Sequence, residues 1–518
     1  MTRESIFQLP DPAFEQYTWV LQDEHGPSSL PPLLVYDDSY GPGTGGVPRS
    51  LRIHGFHYVR AASRPRRPEW SAGTSAPSSL SADVVRRWRH EWLPEVESVV
   101  RLLEDFDPAS VASGQWGRTL NRQEEQYWRV FSGIHSTAPG PARQAFAAYA
   151  YAFERRFGDA RSEDMHALVQ GVDNCSVDRA GALWDLSRIL RANPELLQAL
   201  DRGAALPDSP ASRQFNDAFA AMIATYGHTS NSDLQDLPVW REDHDIPMAA
   251  VRAYARQDDA ASPRAAHDRQ RARRLELEAE LRRLAVGGDE AVARILALLP
   301  AAQELIPNSE DHNFLADQRQ IAASRHRWMS IGRHLMDRGL IDAADDVFFI
   351  ETREILAVLE GHLVPDRALL AERKRRLRAA RASAPPPVLG RPLEREDADP
   401  ESAMPSPLTG GSMRVIRGVA ASPGSFRGRA RLIETLEEAG SLVEGDVMVV
   451  RSTTPPWTPF FALASALVTN SGGMLSHAAV VAREFGIPAV VGTSNATALI
   501  PDGATVTVDG TRGIVIIE

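Results

Sequence analysis

Cysteine is nearly absent: in 518 residues Cys175 is the one example. That excludes an internal disulfide and a zinc site built on several thiolates. No apolar run reaches the roughly 20 residues that a membrane-spanning helix needs, so no membrane partner is expected. The opening stretch, MTRESIFQLPDPAFEQY, has no apolar signal region, and a cytoplasmic location is expected. A basic excess is lacking too. The chain has 57 Lys and Arg against 68 Asp and Glu, a formal charge of −11. Nonspecific binding to nucleic acid is therefore not expected. The glycine-dense stretch GPGTGG (Gly41–Gly46) has no Gly-Lys-Ser/Thr behind it, so it reads as a loop and not as a nucleotide cradle. No internal repeat is evident.

The residues that are present divide the chain into parts. Residues 1–75 are dense in Pro and Gly, with short strand-like pieces such as SLRIHGFHYVR, and read as an irregular segment packed on the helical part of the chain. Residues 76–382 read as mostly helical. ADVVRRWRHEWLPEVESVVRLLEDF carries its large apolar residues at helical spacing, and RQRARRLELEAELRRLAV interleaves Arg and Glu as a solvated helix face does. Residues 383–412, SAPPPVLGRPLEREDADPESAMPSPLTGGS, are rich in Pro, Gly and acid and read as a semi-rigid tether. Residues 413–518 read as a compact α/β unit.

The chemistry concentrates in TNSGGMLSHAAVVAREFGIPAVVGT, Thr469–Thr493. Ala466–Thr469 reads as the end of a buried strand. Gly472 and Gly473 then allow a sharp turn. A helix begins near Ser476 and ends at Gly486-Ile487-Pro488, which places His477 in its first turn. The unpaired N–H groups and positive dipole end there favour an anion and disfavour imidazolium. A neutral imidazole beside an anion site suits a histidine that accepts a phosphoryl group. A capping or packed histidine is the plainer alternative.

This segment resembles the phosphohistidine segment of the phosphoenolpyruvate-utilising enzymes, whose pattern is T-x-x-G-G-x-x-[SCT]-H-A-A-[IV]-[IV]-A-R-E-x-G-I-P-A-[VI]-V-G. Thr469, Gly472, Gly473, Ser476, His477, Ala478, Ala479, Arg483, Glu484, Gly486, Pro488 and Gly492 stand in register with it. GVAASPGSFRGRARLI, GDVMVVRSTTPPWTPFF and IPDGATVTVDGTRGIVII resemble the rest of the same mobile domain. More loosely, LVQGVDNCSVDRAGALWDLSRIL, YGHTSNSDLQDLPVWRED and SIGRHLMDRGLIDAADDVFFIETREI resemble the helical substrate-binding domain of rifampicin phosphotransferase and its relatives.

The resemblance implies a multidomain α+β protein, with a mostly helical substrate-binding domain followed by a C-terminal swivelling α/β phosphohistidine-type domain. His477 would be the reacting residue, with Thr469, Gly472, Gly473 and Ser476 around the phosphate. No nucleotide-binding domain and no phosphoenolpyruvate-binding barrel is recognisable. The expectation is therefore no cofactor in this chain, no metal site, and ATP with magnesium only through a separate ATP-binding subunit. The substrate would be a small organic molecule.

Two departures stand out. Where relatives often have G-H-R-G-x-G-E-x-D-L, this chain has Gly227, His228, Thr229, Ser230, Asn231, Ser232 and Asp233. Where they often have an Arg-Glu pair, NSEDHNFLADQ places Glu310 and Asp311, followed by His312. Phosphoryl transfer needs cations, so the loss of two arginines predicts a poorer phosphate site. His228, Asp311 and His312 are groups suited to acid–base work. Three functions stay open: phosphotransfer through His477; a phosphate-independent dehydratase, lyase or isomerase in which His477 moves a proton; and a binding protein that keeps a relic fold.

Overall fold

A computed structural model describes residues 18–21, 50–53, 56–60, 77–158, 161–230, 234–381, 388–391, 414–436, 438–474 and 476–518. The loop Gly41–Gly46, the segment Asn231–Asp233 and most of the expected tether lie outside the described residues.

A small antiparallel sheet is built from β1 (Thr18–Leu21), β2 (Ser50–Ile53), β3 (Phe56–Arg60) and β4 (Val388–Gly390), in the order β2-β3-β1-β4. Strand β4 falls inside the Pro-rich stretch expected to be a tether. Its Val388-Leu389 pair is a short island of strand-favouring residues, and it pairs with Val20 and Trp19.

Between the sheets lies the helical region. Five of its helices carry the argument: α1 (Trp116–Thr137), α2 (Cys175–Ala192), α3 (Pro263–Val286), α4 (Glu290–His312) and α5 (Arg319–Asp337). The Arg/Glu-rich α3 is not merely a solvated face. It buries His267, Leu277 and Leu281. Helices α4 and α5 are joined without a break by a π-helical turn, Asn313–Gln318. Helix α4 also contains Pro300 and Pro307, which lack the N–H that an uninterrupted helix would use.

The C-terminal region is a mixed eight-stranded sheet, β5 (Arg414–Arg417), β6 (Val419–Ser422), β7 (Ser425–Leu432), β8 (Asp446–Val450), β9 (Ala466–Thr469), β10 (Ala489–Val491), β11 (Thr505–Asp509) and β12 (Ile514–Ile517). Its order is β5-β12-β11-β7-β8-β9-β10-β6. Strands β7, β8, β9 and β10 run parallel. Every residue of β8, β9 and β10 is buried, as a strand covered on both faces must be. The crossover between β9 and β10 is helix α6 (His477–Phe485), so its first residue sits just beyond the carboxyl end of a central strand. In open α/β sheets this is where ligands bind. Among the described residues no helix is long and apolar enough to cross a membrane.

The two regions share one apolar core. Leu183, Trp184, Ala250 and Tyr254 of the helical region cluster with Ala421, Met448, Phe460, Phe461 and Ala479 of the sheet region. Fully buried Tyr254 also donates its hydroxyl to the Pro459 carbonyl across the boundary. Tyr254→Ala should therefore cost about 3–5 kcal/mol and lower the first unfolding transition. Calorimetry showing a transition unchanged from wild type would contradict a shared core.

Candidate active site

The turn before His477 is set by glycine. Gly472 has φ +118, and a Cβ on Gly492 (φ +65) would lie 2.6 Å from the Gly472 carbonyl oxygen. Both positions thus require the missing side chain. Ser476 is the N-cap of α6, its Oγ accepting from the Ala479 N–H at 3.4 Å, and Gly486 closes the helix in the left-handed region at φ +68. Thr469, which the resemblance implies lies around the phosphate, is buried, and its hydroxyl donates to the Ser471 carbonyl at 2.6 Å.

Arg483 and Glu484, motif residues with no role assigned from the sequence, hold the frame. The buried Arg483 guanidinium donates to the Ala421 carbonyl at 2.7 Å and to the Met474 carbonyl at 2.8 Å, pinning the turn. Glu484 latches the two regions together. It accepts from the Gly171 N–H at 3.2 Å and lies 3.4 Å from His267 Nδ1, whose Nε2 is 3.1 Å from Asp173.

The His477 ring is mostly enclosed at the boundary, its side chain 11% accessible, with Phe461 edge-on at 6.0 Å. Its Nδ1 is 2.8 Å from Glu310 Oε2, and its Nε2 is 3.4 Å from Thr458 Oγ1. Glu310 sits near the end of α4 and is itself buried. Burial pushes its carboxyl up, but the charge and hydrogen bond of His477, the charge of His312 and the Ser176 hydroxyl outweigh burial and hold it below the usual range. The ionised carboxylate only accepts, so Nδ1–H is the donor, and in the neutral ring the lone pair falls on Nε2.

Helix α2 supplies the next groups. Ser176 Oγ lies 3.4 Å from Glu310 Oε2. Arg179 is fully buried. Its Nη2 donates to the Pro455 carbonyl and to Thr458 Oγ1, the latter at 3.1 Å. The guanidinium faces the Trp240 ring at 5.7 Å and the Phe314 ring at 5.3 Å, while its Nε and Nη1 have no acceptor among the described residues. A buried cation with unused donors, reached from His477 through one shared hydroxyl, is suited to an anion. The expectation of a cation-poor site is corrected here. Thr229 is buried, its hydroxyl without a partner among the described residues, where relatives often have arginine, but Arg179 brings a cation in from another helix. Nothing in its local sequence, SVDRAGAL, distinguishes it from a surface arginine.

The three acid–base candidates do not converge. Asp311 Oδ1 accepts from the Cys175 N–H at 2.9 Å, capping α2, and burial raises both the Asp311 carboxyl and the Cys175 thiol. His312 turns away toward Asp317 and His135. His228 packs on Phe314 with centroids 4.5 Å apart, and burial lowers it to about 3. It lines a separate cavity of about 350 Å³ with Glu104, Arg241 and Arg319.

Comparison with known proteins agrees with this division. Residues 442–513 match the family described as PEP-utilising enzyme, mobile domain, and residues 137–310 match the rifampicin phosphotransferase fourth domain. The first match contains His477, and the second contains Arg179 and Glu310. The chain is 32% identical over 471 residues to the chondramide synthase cmdD of Chondromyces crocatus, covering 85% of this chain and 12% of that one. It is 50% identical over 134 residues to a phosphoenolpyruvate synthase of Aeropyrum pernix, covering 25% and 16%. To a rifampicin phosphotransferase of Streptomyces sviceus it is 29% identical over 358 residues, covering 66% and 40%. The chain thus spans well under half the length of each of these relatives.

The latch makes docking sensitive to pH. His267 is raised above its ordinary value, first by its hydrogen bond to Glu484; Asp173 and Asp178 also face it, and Arg274 faces Glu484. A group raised on docking stabilises the docked state fully below its undocked value and loses that contribution as pH rises through the docked value. Hydrogen exchange at Gly171, corrected for intrinsic rate, should therefore quicken from pH 6 to pH 9. His267→Gln should flatten the dependence, and slower exchange with rising pH would be inconsistent with the latch.

Proposed function

Residues 442–513 are a mobile domain of the PEP-utilising enzyme type, joined to a region of the rifampicin phosphotransferase fourth-domain type, and from that premise we propose that His477 carries a phosphoryl group to a small organic acceptor bound by the helical region. The observation that carries this reading is the donor-poor, cation-flanked Nε2. In the docked state Glu310 holds Nδ1–H, which leaves Nε2 as the nitrogen that carries the phosphoryl group and hands it on. A P–O bond of the donor breaks as the N–P bond forms. The acceptor hydroxyl then attacks phosphorus, the N–P bond breaks, and the ring leaves as neutral imidazole with Nδ1–H still on Glu310. The hydroxyl proton departs to solvent. Arg179, whose Nε and Nη1 have no acceptor among the described residues, offsets charge on the transferring group.

The donor would be ATP on a separate nucleotide-binding subunit, reached when the mobile domain leaves the docked position seen here. An acceptor that is a small organic molecule is supported by the name of the rifampicin phosphotransferases, in which the acceptor is stated.

A second reading rests on the same buried pair. A carboxylate 2.8 Å from an imidazole is also the geometry of a general base, and Glu310 with His477 would then move a proton in a dehydration or isomerisation without phosphate.

Incubation with γ-labelled ATP and host extract separates the two. Wild type should gain acid-labile, base-stable phosphate, and His477→Asn should gain none. Arg179→Ala should slow transfer to the acceptor by on the order of 100-fold or more while His477 still labels, with Arg179→Lys intermediate because it keeps charge without the planar fork. Full turnover in the absence of any nucleotide would sink phosphotransfer and select the second reading.

A further inference from the structure

No metal set is legible in the sequence, yet the helical region brings three ligating side chains together close to Glu310. His135 of α1, His312 at the end of α4 and Asp317 of the π turn each offer one atom, and all three atoms lie within 4.8 Å of one another. His135 Nδ1 is 2.7 Å from Asp317 Oδ2, and His312 Nε2 is 3.8 Å from the same oxygen. Tetrahedral ligands at about 2.0–2.2 Å from a shared cation stand about 3.3–3.6 Å apart. The 3.8 Å pair is close to that, and the 2.7 Å pair is a hydrogen bond that would open by under about 1 Å to admit the ion.

Three further features are those of a ligand set and not of a simple ion pair. The His312 Nδ1–H donates to the Asn308 carbonyl at 3.0 Å, which fixes the tautomer and aims the Nε2 lone pair at the cluster. Metal-bound histidines almost always have such an outer partner. Asp317 is buried, and its Oδ1 has no hydrogen-bond partner among the described residues. A buried carboxylate oxygen left unpaired is costly unless something positive meets it. The His135 ring is held flat on Phe131, with centroids 5.8 Å apart and planes 3° apart, yet its side chain is 37% accessible, which gives an ion a way in.

The backbone is shaped for this. In an α-helix, residues five apart lie about 140° apart around the axis, so His312 and Asp317 would face different ways. The π turn Asn313–Gln318 winds more widely, and its i→i+5 spacing returns Asp317 to the His312 side.

We infer that His135, His312 and Asp317 form a binding site for a divalent transition-metal ion of the zinc class. Two imidazoles and one carboxylate select against magnesium and calcium, which take oxygen ligands. Three protein ligands leave a coordination position open for water or a substrate oxygen. The inference stands on this cluster alone and does not depend on what His477 does.

The test uses untagged full-length protein stripped with chelator and titrated with zinc in a calorimeter, with retained metal counted by mass spectrometry after gel filtration. One zinc per chain and a raised melting temperature are expected. His135→Ala removes a partly exposed ring, so the fold should survive, and it should weaken zinc binding at least tenfold. Asp317→Asn should do the same or more, and His477→Asn should leave binding unchanged. Absence of stoichiometric zinc at micromolar concentration would overturn the site, as would equal binding by wild type and a folded His135→Ala.

Discussion

The hydrogen bond between Glu310 and His477 joins the two halves of this protein at their chemistry. Glu310 comes from the helical region and His477 from the first residue of a crossover helix in the sheet region. A buried carboxylate is costly without a cation or donor, so Glu310 favours the docked arrangement as much as it orients the ring. Around it, the Glu484 latch, the Tyr254–Pro459 contact and the shared apolar core hold the regions at the distance that this bond needs. A histidine that carries a phosphoryl group between two sites, as proposed, must also let go. Each of these polar contacts is broken at the cost of re-solvating its groups, and none is covalent.

The long helix that runs from Glu290 to Asp337 organises the other side of the site. Glu310 and His312 are two residues apart and therefore point to different faces, one toward the mobile domain and one toward α1. The π turn beyond them redirects Asp317 and places Phe314 between Arg179 and His228. Irregular helical winding is costly in a soluble protein and recurs at functional sites. Here it lies between the Glu310–His477 pair and the cluster proposed to hold a metal.

How much was legible in the sequence depends on range. The strand–turn–helix around His477 is local: the turn at Gly472, the helix start near Ser476 and the stop at Gly486 are where the sequence places them, and the structure adds that Ser476 is the N-cap. The helical region was legible from periodicity for the same reason, and the α/β unit from its resemblance to the mobile domain. Partnership was not. Arg179, Thr458 and Glu310 meet at His477 from 298, 19 and 167 residues away, and no spacing rule reports such a meeting. Asp311 was misleading because a carboxylate capping a distant helix, at Cys175, reads the same as a catalytic one. The His135–His312–Asp317 set was hidden by a π turn, since helical spacing alone puts His312 and Asp317 on different faces.

The central claim is that in the docked state Glu310 holds the proton on Nδ1 of His477 and leaves Nε2 as the nitrogen that carries the phosphoryl group. Nitrogen-15 chemical shifts of the His477 ring, assigned by difference against His477→Asn in histidine-labelled protein, report this directly. At neutral pH the account requires a protonated Nδ1 and an unprotonated Nε2, with Glu310→Gln shifting the balance between tautomers. A ring protonated at Nε2 and bare at Nδ1 in the wild-type protein would contradict it.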